Sequence, residues 1–568
     1  MSNTLYVHKR NRYAHRNEST DVEKSRSPSL AHNIRKKISD NAASMDWSSL
    51  PAYLSSVWFI ISLLNKNIFF EIFARNTKLD TPLSNRVIRR LPYGTLFLLV
   101  ILLVNLPLAA SGQQEPAADP FSIPADEERP AINDPNLVAR EVVAGFRHPT
   151  AMTFVGNSVD DIIVIEKNNG TVRRVIEGVV QPEPLLDVAV ANNNVTNERG
   201  LLGMGIARQN ETTTYVFLYY TESGDGRDGS DSEGVVPAGN RLYRYELVQN
   251  ADGSSELINP KLLLDLPARP GPRYNGGPLL VSQNQDNTII YLMIGDLDHR
   301  ESQALNFEDG PPPDGTGGIL AIDAEGNPLP NPVLMTQVNA EEENGEEENG
   351  EEENGEEENG EEENGEEENG EEDMGMLPYY YAYGIRNGFG LTVDPVSGYL
   401  WDTENGPAWF DEINLVLPGF NSGWADVQGP ASAPENEEVD IEEDLVDFGG
   451  TGVYRDPEFS WQNPVGVTAI KFLNSTALGP QYENDLFVGD INHGRLYHFD
   501  LNQDRTGLVL EGVLEDKVAG NVGELSSAIF GTGLRSITDI EVGSDGYLYV
   551  LLFGPGKIFR IAPASVQD

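Results

Sequence analysis

The chain reads as an all-β protein built as a β-propeller. Three observations carry that reading: a long succession of short β-type runs, the turn-forming residues between them, and the lack of any amphipathic helical pattern of useful length. From about Glu141 to Pro563 the runs IIVIEK, TYVFLYYT, RLYRYEL, IIYLMIGD, YLWDTEN, DLFVGD, RLYHFDL and YLYVLLF are each rich in Val, Ile, Tyr and Phe. Gly, Asn and Asp separate them, as expected of strands bounded by turns. The chain holds 56 Gly and 36 Pro, a composition that favours turns over long helices. Irregular β units recurring over so long a stretch point to radial repetition before a sandwich, because a propeller closes a long all-β chain on itself. Two hairpins are expected, Asp485–Asp500 turning at Asn492-His493-Gly494 and Tyr547–Ile561 turning at Gly554-Pro555-Gly556.

The segments around this region differ in charge. Residues 1–90 hold 15 Lys/Arg and 7 Asp/Glu, residues 91–111 hold none, and the remainder carries 24 basic against 83 acidic residues. So acidic a balance repels nucleic acid and anionic membrane surfaces, and it fits a secreted or extracytoplasmic domain. Residues 86–112 have the layout of a secretory signal: Arg86, Arg89 and Arg90, then the apolar run Thr95–Leu108, then Ala109-Ala110-Ser111. Two outcomes stay open for it, a cleaved signal or a single-span membrane anchor through residues 91–111. Residues 1–85 read as a basic, disordered extension, either a misassigned start or a cytoplasmic tail. Residues 113–137 read as a Pro/Ala/acid-rich linker.

An acidic low-complexity insertion occupies 341–373: six perfect EEENG repeats followed by Glu371-Glu372-Asp373. Like charges repel there and nothing apolar is available for burial, so disorder in a surface loop is expected. A weak calcium-sponge role is the alternative. The absence of cysteine excludes disulfides, thiolate zinc sites and a Cys nucleophile.

The stretch Tyr381–Trp424 concentrates the chemistry. Arg386 and Asn387 suit an anionic or carbonyl-bearing ligand, while Glu404, Asp411, Glu412 and the carbonyls of Gly406 and Pro407 are hard oxygen donors of the kind calcium prefers. Further polar clusters fall at strand ends: Glu198-Arg199-Gly200, Arg273–Gly277, Gly295–Arg300, Asn492-His493 and Arg535-Ser536. Singly, each has a structural explanation: the Gly-Gly of YNGGP reads as a turn, His148 as structural, and His498 as lying on one strand face. His299 and His493 fall in loops and are candidate bases. No Ser-His-Asp spacing, HExxH, P-loop or Rossmann fingerprint stands out.

Together these residues resemble the soluble glucose/sorbosone (aldose sugar) dehydrogenases. The resemblance covers roughly 138–565 and runs through GFRHPTAMTF, NERGLLGMGI, NGGPLL, IIYLMIGD, GTGGILAID, YGIRNGFGLTVDP, TENGPAWFDEINLVLPGFNSGW, DLFVGDINHGRLYHFDL and ITDIEVGSDGYLYVLLF. It implies a six-bladed β-propeller that oxidises sugars or other alcohols with pyrroloquinoline quinone (PQQ) and calcium, passing electrons to an external acceptor. On that resemblance Arg386 and Asn387 bind the cofactor, and Gly406, Pro407 and Asp411 bind calcium, with Glu412 beside them. A planar guanidinium suits carboxylates, and calcium acts as a Lewis acid on the quinone.

The chain departs from the family pattern around the cofactor. The general-base His of an HNGG motif is Tyr274 here, a poor base at neutral pH given an ordinary pKa near 10. The family's Lys after a GS-type turn is Asn492, the arginines of RIRD are Ser536 and Thr538 with Arg535 adjacent, and a Gln is Glu198. Tyr274, His299 and His493 are therefore the candidates for the base, and Glu198, Asn492, Arg535 and Thr538 for cofactor contacts. The alternatives are a non-catalytic, calcium-stabilised propeller binding a glycan or protein partner, and an enzyme using another cofactor.

Overall fold

The computed structural model describes residues 129–566 apart from 193–197, 211–212, 231–232, 252, 284–286, 331–332 and 336–374. The basic extension, the signal or anchor segment, most of the linker and the EEENG insertion lie outside the described residues. Among the described residues no helix is long and apolar enough to cross a membrane.

The described chain is a β-propeller with almost no helix; its α-helix Ile441–Asp444 is four residues long. The strands form six sheets. Sheet 1 starts with Pro149–Phe154, sheet 2 with Leu201–Arg208, and sheet 3 with Leu279–Gln283. Sheet 4 starts with Gly388–Val393, sheet 5 with Val467–Phe472, and sheet 6 with Ile537–Val542. These starting strands neighbour one another in a closed cycle, sheet 6 returning to sheet 1. Each sheet then runs outward through antiparallel partners, with short parallel pairings added at the outer edges of sheets 3 and 4.

Burial explains why so many strands read as unbroken apolar runs. In Asp161–Glu166 of sheet 1, Ile162 and Val164 face one neighbour while Ile163 and Ile165 face the other, since successive side chains alternate across a strand. Ile162 and Val164 pack with Tyr549 and Leu551 of sheet 6. Ile163 and Ile165 pack with Val216 and Leu218 of sheet 2. Each remaining apolar cluster likewise fills the space between neighbouring sheets, the one between sheets 4 and 5 holding Trp401 and Trp461.

Both expected hairpins are present. Leu486–Asp490 pairs with Leu496–Phe499 in the register Leu486↔Phe499, and Leu548–Leu552 pairs with Lys557–Pro563 in the register Leu548↔Ile561. Leu137–Ala144 closes sheet 6 by pairing with Lys557–Pro563. Within the expected linker, Ala131–Ile132 pairs with Ile529–Thr532 and extends sheet 5.

Candidate functional site

Antiparallel pairing brings two sets of loops to one end of the sheets. The end of each second strand lies against the start of the first: Pro149↔Glu166, Gly388↔Glu404, Val467↔Asp490 and Ile537↔Leu552. The segments that precede the starting strands carry Glu198, Tyr274, Asn387 and Ser536. The segments that follow the second strands carry Lys167, Asn405 and Asn492. Between them opens a cavity of ≈ 460 Å³, lined by the starting strands of all six sheets.

Of the expected site residues, Glu198, Asn387, Asn492 and Thr538 line this cavity. Arg386 and Tyr274 are buried behind its wall. The Arg386 guanidinium lies 4.1 Å from the Tyr274 ring centroid and 5.3 Å from that of Trp424, and one of its NH groups donates to the Asn405 carbonyl (2.7 Å). Two buried polar atoms here have no hydrogen-bond partner, Arg386 Nε and Asn387 Oδ1. Trp424 is fixed from behind, its indole N–H donating to Asp296 Oδ2 (2.8 Å).

Tyr274 is left-handed in the backbone (φ 59°), as is Gly276 after it (φ 68°). A Cβ on Gly276 would come within 2.3 Å of the Met293 carbonyl oxygen, so close packing requires glycine in that turn. The Tyr274 ring is covered by Arg386, and its backbone N–H donates to Glu198 Oε2. His299 is exposed, and its backbone N–H reaches Asp296 Oδ1 (3.2 Å). The His493 backbone N–H donates to Asp490 Oδ1 (2.6 Å). Neither histidine is among the residues lining the cavity. Arg535 is exposed, and Thr538 Oγ1 donates to the Pro149 carbonyl (3.0 Å).

The expected metal ligands do not converge through their carboxylates. Asp411 and Glu412 are consecutive in the strand Asp411–Val416 and project to opposite faces. Asp411 turns toward sheet 5: its Oδ2 accepts the N–H groups of Val465 (2.8 Å), Gly466 (2.6 Å) and Val467 (3.3 Å), and its Oδ1 accepts Gly406 N–H (3.0 Å). Burial pushes its carboxyl up to about 6 against the pull of those donors. Glu412 turns the other way, where its Oε1 accepts Gln428 Nε2 (2.7 Å) and Gly429 N–H (2.5 Å).

On that second face Glu412 joins Asp402 and Glu404, all three almost fully buried. Asn414 Nδ2 bridges Glu404 (3.2 Å) and Glu412 (3.3 Å), and Ser422 Oγ donates to Glu404 (2.6 Å). Both Asp402 oxygens and Asn414 Oδ1 have no partner. Burial, and then repulsion from Glu404, pushes the Glu412 carboxyl up to about 8, and burial holds Asp402 and Glu404 well above the ordinary range.

Of the cavity's charges, sequence reasoning picked out Glu198 and missed Lys167, Lys471, Asp539 and Glu541. Lys167 lines it and is pushed down to about 8 by burial, against the opposing pull of Glu198. Burial raises the Glu198 carboxyl to about 7, while the Tyr274 N–H, Arg386, Lys167 and Arg273 act to lower it. Deeper in, Lys471 Nζ pairs with Glu541 (2.6 Å), and Met152 N–H donates to Asp539 Oδ2 (2.7 Å). Burial and then Glu541 raise Asp539 to about 7. The available signal was one or two charges inside or at the end of an apolar strand, as in IIVIEK, VTAIKF and TDIEV.

A family model for glucose/sorbosone dehydrogenase matches residues 146–343 and 360–560. The aldose sugar dehydrogenase YliI of Escherichia coli is 30% identical over 186 residues, which span 33% of this chain and 44% of that protein. Quinoprotein glucose dehydrogenase B of Acinetobacter calcoaceticus is 23% identical over 310 residues, 52% of this chain and 53% of that one. The alignments thus span about half the length of these two relatives. A solved glucose dehydrogenase shares the fold at a TM-score of 0.51 and 19% identity, over 76% of this chain and all of that one.

Proposed function

Since the chain belongs to the glucose/sorbosone dehydrogenase family, we propose that it is an extracytoplasmic, six-bladed quinoprotein oxidising sugars or related alcohols, with calcium and an external electron acceptor. The observation that carries this reading is the cavity itself. It is reached by loops from all around the ring, is lined by Lys167, Asn387 and Asn405, and has the buried Arg386 beside Asn387. An anionic, carbonyl-rich planar group would find its donors in the Asn387 and Asn405 amide N–H groups and Lys167, with Lys167 replacing part of the cationic charge removed at Asn492, Ser536 and Thr538.

A bound quinone would supply the two-electron sink. Beside it, Arg386 would supply positive charge to the group's oxygens, and Trp424 and Tyr274 keep that guanidinium oriented. For calcium the resemblance implies the carbonyls of Gly406 and Pro407; Asp402, Glu404 and Glu412 form a buried carboxylate group, but among the described residues their oxygens do not converge into a three-ligand cage. In this assignment Asp411 anchors backbone. Residues 86–112 would direct export or tethering.

The test is to purify residues 112–568, add PQQ and calcium, and record cofactor absorbance and dye-linked oxidation over a sugar panel. Retained quinone with oxidation of at least one sugar is expected. Absence of retained quinone at micromolar concentrations overturns the enzymatic reading. The covered Tyr274 ring favours the second reading, a propeller that binds a glycan or protein without turnover, and that outcome would then stand.

A further inference from the structure

We propose that Glu198 is the group that takes the hydroxyl proton from the substrate, a deepening that rests on the oxidoreductase reading above. In the step, the substrate O–H bond breaks and its proton passes to a Glu198 carboxylate oxygen. The adjacent C–H bond breaks with its electron pair, which leaves as hydride to a quinone-class acceptor. A C=O bond forms, the quinone is reduced, and Glu198 ends protonated.

The assignment stands first on geometry. The acidic residues lining the cavity are Glu198, Asp539 and Glu541. Glu541 is held by Lys471, and Asp539 by the Met152 N–H, both within the strands that form the floor. Glu198 instead precedes its strand at the end where Asn387 and Asn492 also stand. Its carboxylate lies directly against position 274, because Oε2 accepts the Tyr274 N–H. It therefore occupies the neighbourhood in which the resemblance expects a base, while the Tyr274 side chain is stacked on Arg386. Oε1 takes part in no hydrogen bond among the described residues, which leaves an acceptor for a substrate hydroxyl.

The charges around Glu198 suit the task. Lys167, Arg386 and Arg273 all favour its carboxylate, whereas burial opposes it, and the balance falls at about 7. A base poised near the operating pH is both ionised often enough and basic enough to be useful. Lys167 acts through Glu198 and is a positioning residue.

The test uses the full secreted chain reconstituted with PQQ and calcium. Glu198→Gln should lower kcat by about 10²–10⁴-fold with KM within about threefold, and should retain quinone by absorbance. Glu198→Ala should regain turnover with added formate, a rescue that a purely structural role would not give. The acidic limb of the wild-type kcat profile should fall at about 7 and move to higher pH in Lys167→Met. In cofactor-free protein the infrared carboxyl signal titrating at about 7 should lose one component in Glu198→Gln and keep that of Asp539. Quinone-loaded Glu198→Gln with wild-type kcat and pH profile overturns the proposal, as does loss of turnover in Tyr274→Phe alone. Wild-type protein that neither retains quinone nor oxidises any sugar overturns the parent reading and this one with it.

Discussion

Replacing Asp411 by Ala should destabilise the propeller whether or not calcium is present. The carboxylate is fully buried and accepts four backbone N–H groups, three from the segment entering sheet 5 and one from the Gly406 turn. Each buried donor left unsatisfied costs about 1–3 kcal/mol, and water entering the vacated space recovers part of that. A net loss of about 4 kcal/mol is expected, and about half as much for Asp411→Asn, which keeps the shape but turns a donor toward donors. Calorimetry should show Tm falling by about 5–10 °C for the Ala variant, since large units shift less per kcal/mol than small ones. The fall should be the same in excess chelator as in calcium. If the variant melts with the wild type in chelator and differs only when calcium is added, Asp411 is a metal ligand and the anchoring argument is refuted.

Three further outcomes follow from the site. Glu198 titrates at about 7 in the folded chain, above its unfolded value, so the stability of its protonated form is complete below the unfolded pKa and is lost as pH rises through about 7. Glu198→Gln should therefore be more stable than wild type by about 2 kcal/mol near pH 8 and should match it near pH 4, read from urea midpoints at both pH values. Asp402→Asn should change the stability of the calcium-free protein little at neutral pH, because burial already favours the neutral acid, and should leave any Tm gain on adding calcium unchanged; a smaller gain would place the ion at Asp402. Arg386→Ala should weaken quinone retention by about 10–100-fold, the worth of a charge-assisted hydrogen bond, measured by equilibrium dialysis.

The fold was legible because strands buried on both faces leave a strong mark in sequence. IIVIEK and YLYVLLF are apolar at consecutive positions because neighbouring sheets cover both sides. The two hairpins were readable from Gly-containing turns. The site was only partly legible. GIRN and ENGP mark backbone turns whose residues are local, so Arg386 and Asn387 could be picked out. Convergence across sheets is another matter: Lys167 and Glu198, or Lys471 and Glu541, meet only when neighbouring sheets pack together, and no local spacing encodes that. Strand alternation sends Asp411 and Glu412 to opposite faces although they are adjacent in sequence, which a count of oxygen donors along the chain does not register. Asp402 escaped notice because it sits in a run that reads simply as a strand.

The pairing of Leu137–Ala144 with Lys557–Pro563 gives the molecule a seam. Its two sides are the earliest and latest parts of the propeller to leave the ribosome, so the ring stays open until synthesis is nearly finished. In that open state the chain has unpaired strand edges at both ends and no assembled cavity. The solvent-exposed Lys557–Glu141 contact (2.7 Å) adds little hold; Leu137 and Val143, buried against their neighbours, do the latching. Any ligand of the cavity can therefore be held only after that seam has closed.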